Sequence, residues 1–353
     1  MSQKVRIKDI AKMAGVSAGT VDRILHNRGN VSADKKSKVE EVLRQVDYRP
    51  NIHISAISLK KKFSLAIVIP ESGKGQYWAI LEEGIMQAIK EYETVGIHTD
   101  LYYYDQYDLN SYSAVIDSLM ASGSLPDAAI IGPTFHEETI RLAGWLDRHN
   151  RPYIYVDSMV EGTSPLTFFS PHQYKCGYLI AKLIHMITPP DSEFALLTPQ
   201  RTGGSNANAT SLRRLGFRDY CAENGMAGNV HDVQFSVTEI ERNNTLIGDF
   251  FQKHPAVKGA VVLLSRGHII ADYFRKNDIR DVKLVCMDLP DENIEAIKSG
   301  EIDFVISQRP MQQGFFAVTT IIERLIYGNK PVRENYMPLD IVTRENLPYH
   351  IKT

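Results

Sequence analysis

Arg23 and Asp22 stand side by side in a stretch, Ser17 to Leu25, that opens with small residues. A guanidinium can donate to a guanine edge or to a phosphate. A carboxylate can accept from cytosine N4 or orient its neighbour. Ala18, Gly19 and Thr20 are small enough to let a backbone approach DNA, and Ser17 is a helix N-cap type. Ser265-Arg266, after the apolar run Ala260 to Leu264, puts a hydroxyl and a guanidinium at a strand end, where ligands of open α/β sheets bind. Other motifs do not complete. Thr202-Gly203-Gly204-Ser205 lacks the Gly-Lys-Ser/Thr of a phosphate loop. The eleven histidines show no paired metal spacing and no H-E-x-x-H. No G-x-S-x-G elbow occurs, and Glu82-Glu83 and Asp291-Glu292 suit solvated helix faces. Neither an enzyme nor a cofactor nor a metal is expected.

Short helices must carry the first of these groups. Ile10, Ala11 and Ala14 share a face of a helix over Ile7 to Ala14, and Gly15-Val16 makes a turn. Ser17 caps a second helix running to about His26, with Val21, Ile24 and Leu25 inward. Asn27-Arg28-Gly29-Asn30 reads as a loop. Ser32 caps a third helix with a Val39, Val42, Leu43, Val46 stripe, and Pro50 stops what precedes it. Two short helices across a glycine turn plus a supporting third describe a helix-turn-helix. On these residues alone, a three-helix bundle with a solvated basic face stays open.

The charge distribution separates this head from the rest. Residues 1–62 hold 14 Lys and Arg against 6 Asp and Glu; the remainder holds 26 against 36. A basic head on an acidic body suggests that the head meets a polyanion. The chain has 353 residues, 43% hydrophobic and 23% charged, enough for two to three packed domains at about 150 residues each. No apolar run approaches the roughly 18 residues of a membrane span, and Met1 to Asp9 has no hydrophobic signal core. Cys176, Cys221 and Cys286 are odd in number and widely spaced, which suits a reducing cytoplasm. After residue 63, strand patterns (65–69, 98–104, 128–131, 153–156, 194–197, 260–264, 284–287, 304–306) alternate with helical ones, including 238–254 and 311–327. Such alternation predicts parallel sheets covered on both faces, and about 290 residues call for two lobes.

Ile7 to Leu25, I-K-D-I-A-K-M-A-G-V-S-A-G-T-V-D-R-I-L, resembles the N-terminal signature of the LacI/GalR family of bacterial regulators, roughly I-x-D-I-A-x-x-A-G-V-S-x-x-T-V-S-R-x-L-N. Val31-Ser32 and Tyr48-Arg49-Pro50-Asn51 match later landmarks. Asp22 replaces the usual Ser and His26 the usual Asn, so the preferred operator is expected to differ. The resemblance implies DNA contacts from Ser17, Ala18, Gly19, Thr20, Asp22, Arg23, His26, Tyr48 and Asn51. It also implies a hinge helix over 51–62 that enters the minor groove with an apolar wedge at Ile57, Leu59 being the rival.

The body resembles the family's sugar-binding effector domain. Gln76-Tyr77-Trp78 is similar to its aromatic segment, Arg213-Arg214-Leu215-Gly216-Phe217 to R-x-x-G-F, and Cys286-Met287-Asp288 to G-F-D. Val305 to Gln308 is similar to a late strand supplying Gln or Asn, while His172-Gln173 stands where the family often has Asp-Asn. The implied effector site is Tyr77, Trp78, Arg213, Asp288 and Gln308, to which the strand-end reading adds Ser265 and Arg266. The implied fold is an all-α helix-turn-helix head (1–50) joined by a hinge (51–62) to an α/β body of two Rossmann-like lobes (63–353). The first lobe is expected over about 63–162 and 309–335, the second over 163–308 and 336–353. The implied function is DNA-binding transcriptional regulation, of repressor type, under a sugar-like effector. A homodimer on a pseudo-palindromic double-stranded operator, with no membrane partner, completes the expectation. An α/β enzyme acting on sugars and a transport-type binding protein are the alternatives. The first lacks a nucleophile set, and the second does not account for the basic head.

Overall fold

A computed structural model describes residues 6–25, 29, 31–46, 62–201 and 208–351. His26, Tyr48, Asn51, Ile57, Leu59 and nearly all of the expected hinge lie outside the described residues. In the head, α1 (Ile7–Met13), α2 (Ala18–Leu25) and α3 (Ala33–Gln45) bury Ile10, Ala11, Ala14, Val21, Val39 and Val42 together. The Asp9 carboxylate accepts from the Arg6 amide at 2.9 Å, closing the start of α1. Gly15 takes φ +64 at the turn, a left-handed conformation in which a side chain would be strained. Ser17 Oγ accepts from the Thr20 amide at 3.2 Å and so caps α2 as expected. Ser32 stands at the N-cap of α3, yet its side chain makes no capping bond.

The body holds two six-stranded sheets. The first is built from β1 (Phe63–Pro70), β2 (Ile97–Tyr104), β3 (Ala128–Ile131), β4 (Tyr153–Val156), β5 (Thr167–Ser170) and β11 (Glu334–Tyr336), in the order β11-β5-β4-β3-β1-β2. The second uses β6 (Glu193–Pro199), β7 (Val230–Phe235), β8 (Val257–Val262), β9 (Lys283–Met287), β10 (Phe304–Ser307) and β12 (Asp340–Val342), in the order β12-β10-β9-β8-β6-β7. Every pairing is parallel except β10 with β12. Seven of the eight residues of β1 are buried, the continuous apolar pattern of a strand covered on both faces. Helices α4 (Tyr77–Glu91) and α13 (Pro310–Tyr327) cover one face of the first sheet, and α5 (Leu109–Ala121) and α6 (His136–Arg148) the other. Around the second sheet run α7 (Gln173–Ile187), α8 (Asn208–Glu223), α9 (Asn243–Leu246), α10 (Gly248–Lys253), α11 (Gly267–Lys276) and α12 (Asp291–Lys298).

The chain crosses between sheets three times: after β5, after β10 and after β11. The first crossing lies later than expected. Thr167 to Ser170 pairs with Ile154 to Val156 and belongs to the first lobe, so that lobe extends to about 170 and not 162. The last expected boundary, 335/336, falls inside β11. The helix expected over 238–254 is also broken. Asn243 donates to the Ser236 carbonyl at 2.9 Å and accepts from the Ser236 amide at 2.7 Å. These side-chain bonds compete with helix bonds and leave a 3-10 turn followed by α9 and α10.

Close helix packing sets the position of α8. A Cβ on Gly177 of α7 would stand 1.8 Å from the Arg213 carbonyl oxygen in α8. The same device joins α4 to α13, where a Cβ on Gly84 would stand 2.0 Å from the Met311 oxygen. Gly177→Ala must therefore move α8 away from α7. The expected cost is about 1–3 kcal/mol, read as a lower urea midpoint; an unchanged midpoint would contradict this packing.

Candidate functional site

The face of α2 expected to meet DNA is partly exposed. Ser17, Gly19 and Arg23 are exposed, while Ala18, Thr20 and Asp22 are half-buried. Gly19 has room: a Cβ there would meet only Ser17 Oγ, at 3.9 Å. The packing of the head does not require glycine at this position.

The second candidate site is the cleft at the carboxyl ends of the strands of both sheets. From the first lobe come Tyr77 and Trp78 at the start of α4, Gln106 after β2, Thr134 after β3 and Asp157 after β4. The second lobe supplies Arg201, Thr210 and Arg213, with Ser265, Asp288 and Gln308 at strand ends. Of the sequence-predicted effector residues, six line this cleft together. Arg266 stands at its rim, where it donates to Gln76 Oε1 at 3.0 Å across the lobes.

Arg213 organises the floor. Its Nε donates to Gln173 Oε1 at 2.7 Å, one terminal nitrogen to the Leu263 carbonyl at 2.9 Å, and the other to Gln308 Oε1 at 2.7 Å. That last nitrogen also lies 3.8 Å from the Asp157 carboxylate. Gln308 passes the polarity on, its amide donating to both Asp288 oxygens at 3.0 and 3.1 Å. Gln173 bridges the lobes by donating to the Asp157 carbonyl. Asp157 and Asp288 both adopt left-handed backbone conformations, φ 69 and φ 59, which are strained for residues with a Cβ.

Burial pushes the Asp157 carboxyl above the usual range, with Arg213 opposing. Burial takes Asp288 up to about 7, against the pull of Arg213 and the Gln308 amide and with a smaller push from Asp157. The hydroxyl of Tyr77 faces Asp157, is buried, and has no partner within hydrogen-bond geometry. Trp78 Nε1 donates to Gln106 Oε1 at 3.4 Å.

The lobes are closed on one another. Arg201 donates to the Gln106 carbonyl at 2.6 Å and lies over the rings of Tyr107 and Phe135, at 5.3 and 5.7 Å. The cavity left between the lobes is about 50 Å³. Sequence reasoning missed Asp157, Arg201, Gln106, Thr134, Thr210 and the bridging role of Gln173. A signal existed for Asp157, which directly follows the predicted strand 153–156.

A helix-turn-helix head on a two-lobed body with a polar cleft at its strand ends defines the architecture of a regulator whose body has the periplasmic-binding-protein fold. Comparison with known proteins agrees. The family model of bacterial regulatory proteins of the lacI family matches residues 6–51, and that of the periplasmic binding protein domain matches residues 65–330. A solved structure from Bacteroides fragilis, described as a LacI transcriptional regulator, is 30% identical with a TM-score of 0.77 over 82% of this chain and 99% of that one. A solute-binding protein from Agrobacterium radiobacter, solved with D-arabinose, is 18% identical over 82% of this chain and 96% of that chain, with a TM-score of 0.66; this likeness is one of fold. Catabolite control protein A of Streptococcus mutans is 27% identical over 188 residues, 51% of this chain and 56% of that protein. The chain thus spans little more than half the length of that curated relative. This chain belongs to the LacI family of regulators, a family of non-enzymes. Among the described residues no helix is long and apolar enough to cross a membrane.

The raised Asp288 carboxyl makes stability depend on pH. In an unfolded chain an aspartate ionises near about 4, whereas the folded protein keeps this proton until about 7. The folded state therefore binds the extra proton between these limits, and stability falls as pH rises through them. Asp288→Asn should make the plot of unfolding free energy against pH shallower in that window. An identical slope would mean that Asp288 is ionised throughout.

Proposed function

We propose that this chain is a sequence-specific DNA-binding transcriptional repressor, released from or retained on its operator by a monosaccharide-like effector bound between the lobes. The observation that carries the reading is the cleft itself. Arg213, Asp157, Asp288 and Gln308 offer hydrogen-bonding groups of both signs around a small closed cavity. The unpartnered Tyr77 hydroxyl and the Trp78 ring face the same space. A sugar presents many hydroxyls and an apolar ring face, which this mixture suits. The arabinose-bound relative of like fold supports the class of ligand.

The head supports the DNA half. Exposed Arg23 on the second helix reads a base edge, and the small residues ahead of it bring the backbone of α2 close to the groove. Two copies place two heads on a pseudo-palindromic operator. Exposed Met86, Leu101 and Tyr103, on α4 and the edge strand β2, offer apolar surface for that pairing. The effector stabilises the closed lobes and shifts the population competent for DNA.

A thermal-shift screen of the full chain against monosaccharides, sugar acids and sugar phosphates tests the effector class, because a ligand of the folded state raises the melting temperature. Asp288→Ala should remove the shift given by any hit while the melting temperature without ligand stays cooperative. A shift retained in full would place the ligand elsewhere. Removal of residues 1–62 should abolish DNA binding and leave the sugar response.

Gly19→Ala gives a sharper test of the head. Alanine in a helix is favoured over glycine by about 0.5–1 kcal/mol, and nothing in the head obstructs its methyl group. The head should therefore become slightly more stable while operator affinity falls. Unchanged affinity would show that the backbone does not approach DNA there. Arg23→Ala should cost about 1–3 kcal/mol and relax preference at one base pair; an equal loss on all sequences would mark a phosphate contact instead.

A further inference from the structure

Far from the cleft, at the opposite ends of the strands of the second sheet, three potential metal ligands converge. Glu193 is the first residue of β6, His231 the second of β7, and His254 follows α10. His231 Nε2 lies 2.7 Å from Glu193 Oε2, and His254 Nδ1 lies 3.8 Å from the same oxygen. All three donor atoms lie within 4.8 Å of one another. We propose that Glu193, His231 and His254 bind a zinc ion, with water at its fourth position.

The chemistry of the set selects the ion. Two imidazoles and a carboxylate suit zinc, whereas magnesium and calcium call for oxygen ligands. A tetrahedral ion with bonds of about 2.1 Å separates its ligand atoms by about 3.4 Å. The contacts here, 2.7 Å at the shortest and under 4.8 Å at the longest, bracket that value, so modest side-chain rotations admit the ion. Zinc takes the lone pair of each ligating imidazole nitrogen, so a proton carried there is released to solvent on binding.

The surroundings hold the ligands ready. The Phe250 ring stacks on His254 at 4.6 Å and meets His231 at 5.7 Å, fixing both imidazole planes. The two imidazoles lie 4.4 Å apart between centroids. Side-chain exposures of 26, 31 and 36% leave the group ordered yet open to an ion from solvent. The Glu193 amide donates to the Ala256 carbonyl at 3.0 Å, and the Val257 amide to the His254 carbonyl at 3.1 Å, so the backbone already joins β6 to the turn that carries His254. An ion here fastens the edge strand β7 and the end of α10 to β6. The thiols do not compete, because Cys176, Cys221 and Cys286 are all buried.

The test is titration of the full-length chain with zinc chloride by calorimetry, with magnesium chloride as control, and melting curves in both salts. The wild type should bind one zinc ion per chain more tightly than any background and melt higher in zinc alone. His231→Ala and His254→Ala should each weaken that binding by more than about tenfold and lose the melting shift. His98 beside Asp100 and His136 beside Glu137 offer only two donors each and set the background. Glu193→Gln, which keeps the shape of the side chain, reads the same loss if an alanine variant fails to fold. Equal zinc binding by wild type and all three variants, or no binding by the wild type, overturns the proposal.

Discussion

A guanidinium left 4% exposed cannot stand alone. An unneutralised buried charge costs on the order of several kcal/mol, so the surroundings of Arg213 must supply acceptors in the right places. They come from four separate segments: Gln173 on α7, the Leu263 carbonyl after β8, Gln308 after β10 and Asp157 after β4 in the other lobe. Two carboxylates face this one cation. The second of them, Asp288, is held by the Gln308 amide and resists ionisation up to about 7. The polar character of the cleft, its unequal acids and its closed shape all follow from satisfying that single buried charge.

The backbone carries part of the arrangement as strain. Asp157, Asp288 and Arg309 each take a positive φ directly after or near the end of a strand. Each such residue costs of order 1–3 kcal/mol, and their neighbours hold them there. The Asp157 amide donates to Gln313 Oε1 at 2.8 Å, and Arg309 makes a two-pronged ion pair with Asp340 at 2.7 and 2.8 Å. Arg309 lies at the second crossing between lobes and Asp340 just beyond the third. The cleft and the crossings are thus linked through α13, whose Gln313 also donates to the Gln308 carbonyl at 2.9 Å. Closure around a ligand and the relative placement of the lobes are one mechanical problem.

The legible parts of this molecule were those written in local patterns. The head followed from apolar spacing and a glycine turn, and continuous apolar runs marked most core strands. Thr167–Ser170 and Asp340–Val342 escaped because their runs, T-F-F-S and D-I-V, mix polar residues with only two apolar ones, whereas the equally short Ala128–Ile131 is apolar throughout. With them went the position of the first crossing. Asn243 broke an expected helix through side-chain bonds that no periodic pattern displays. In the cleft, Arg213, Asp288 and Gln308 came from family resemblance, whereas Arg201, just after β6, and Thr210, in the first turn of α8, stand in no local pattern that marks a site. Glu193, His231 and His254 lie far apart in sequence, and the pairing of β6 with β7 together with the backbone bond from Glu193 to the turn carrying His254 brings them together.

The central claim is that the cleft and the DNA-binding head are coupled. The most direct test is a thermodynamic cycle on the full-length chain, using an operator selected from random duplexes and a sugar found to bind the cleft. Operator affinity is measured with and without the sugar, and sugar affinity with and without the operator. Linkage requires both ratios to be equal, and coupling of this kind runs at about 5–150-fold. The account predicts equal ratios well away from one, and an operator affinity indifferent to the sugar in Asp288→Ala. A ratio of one in the wild type, with both ligands bound, would contradict it.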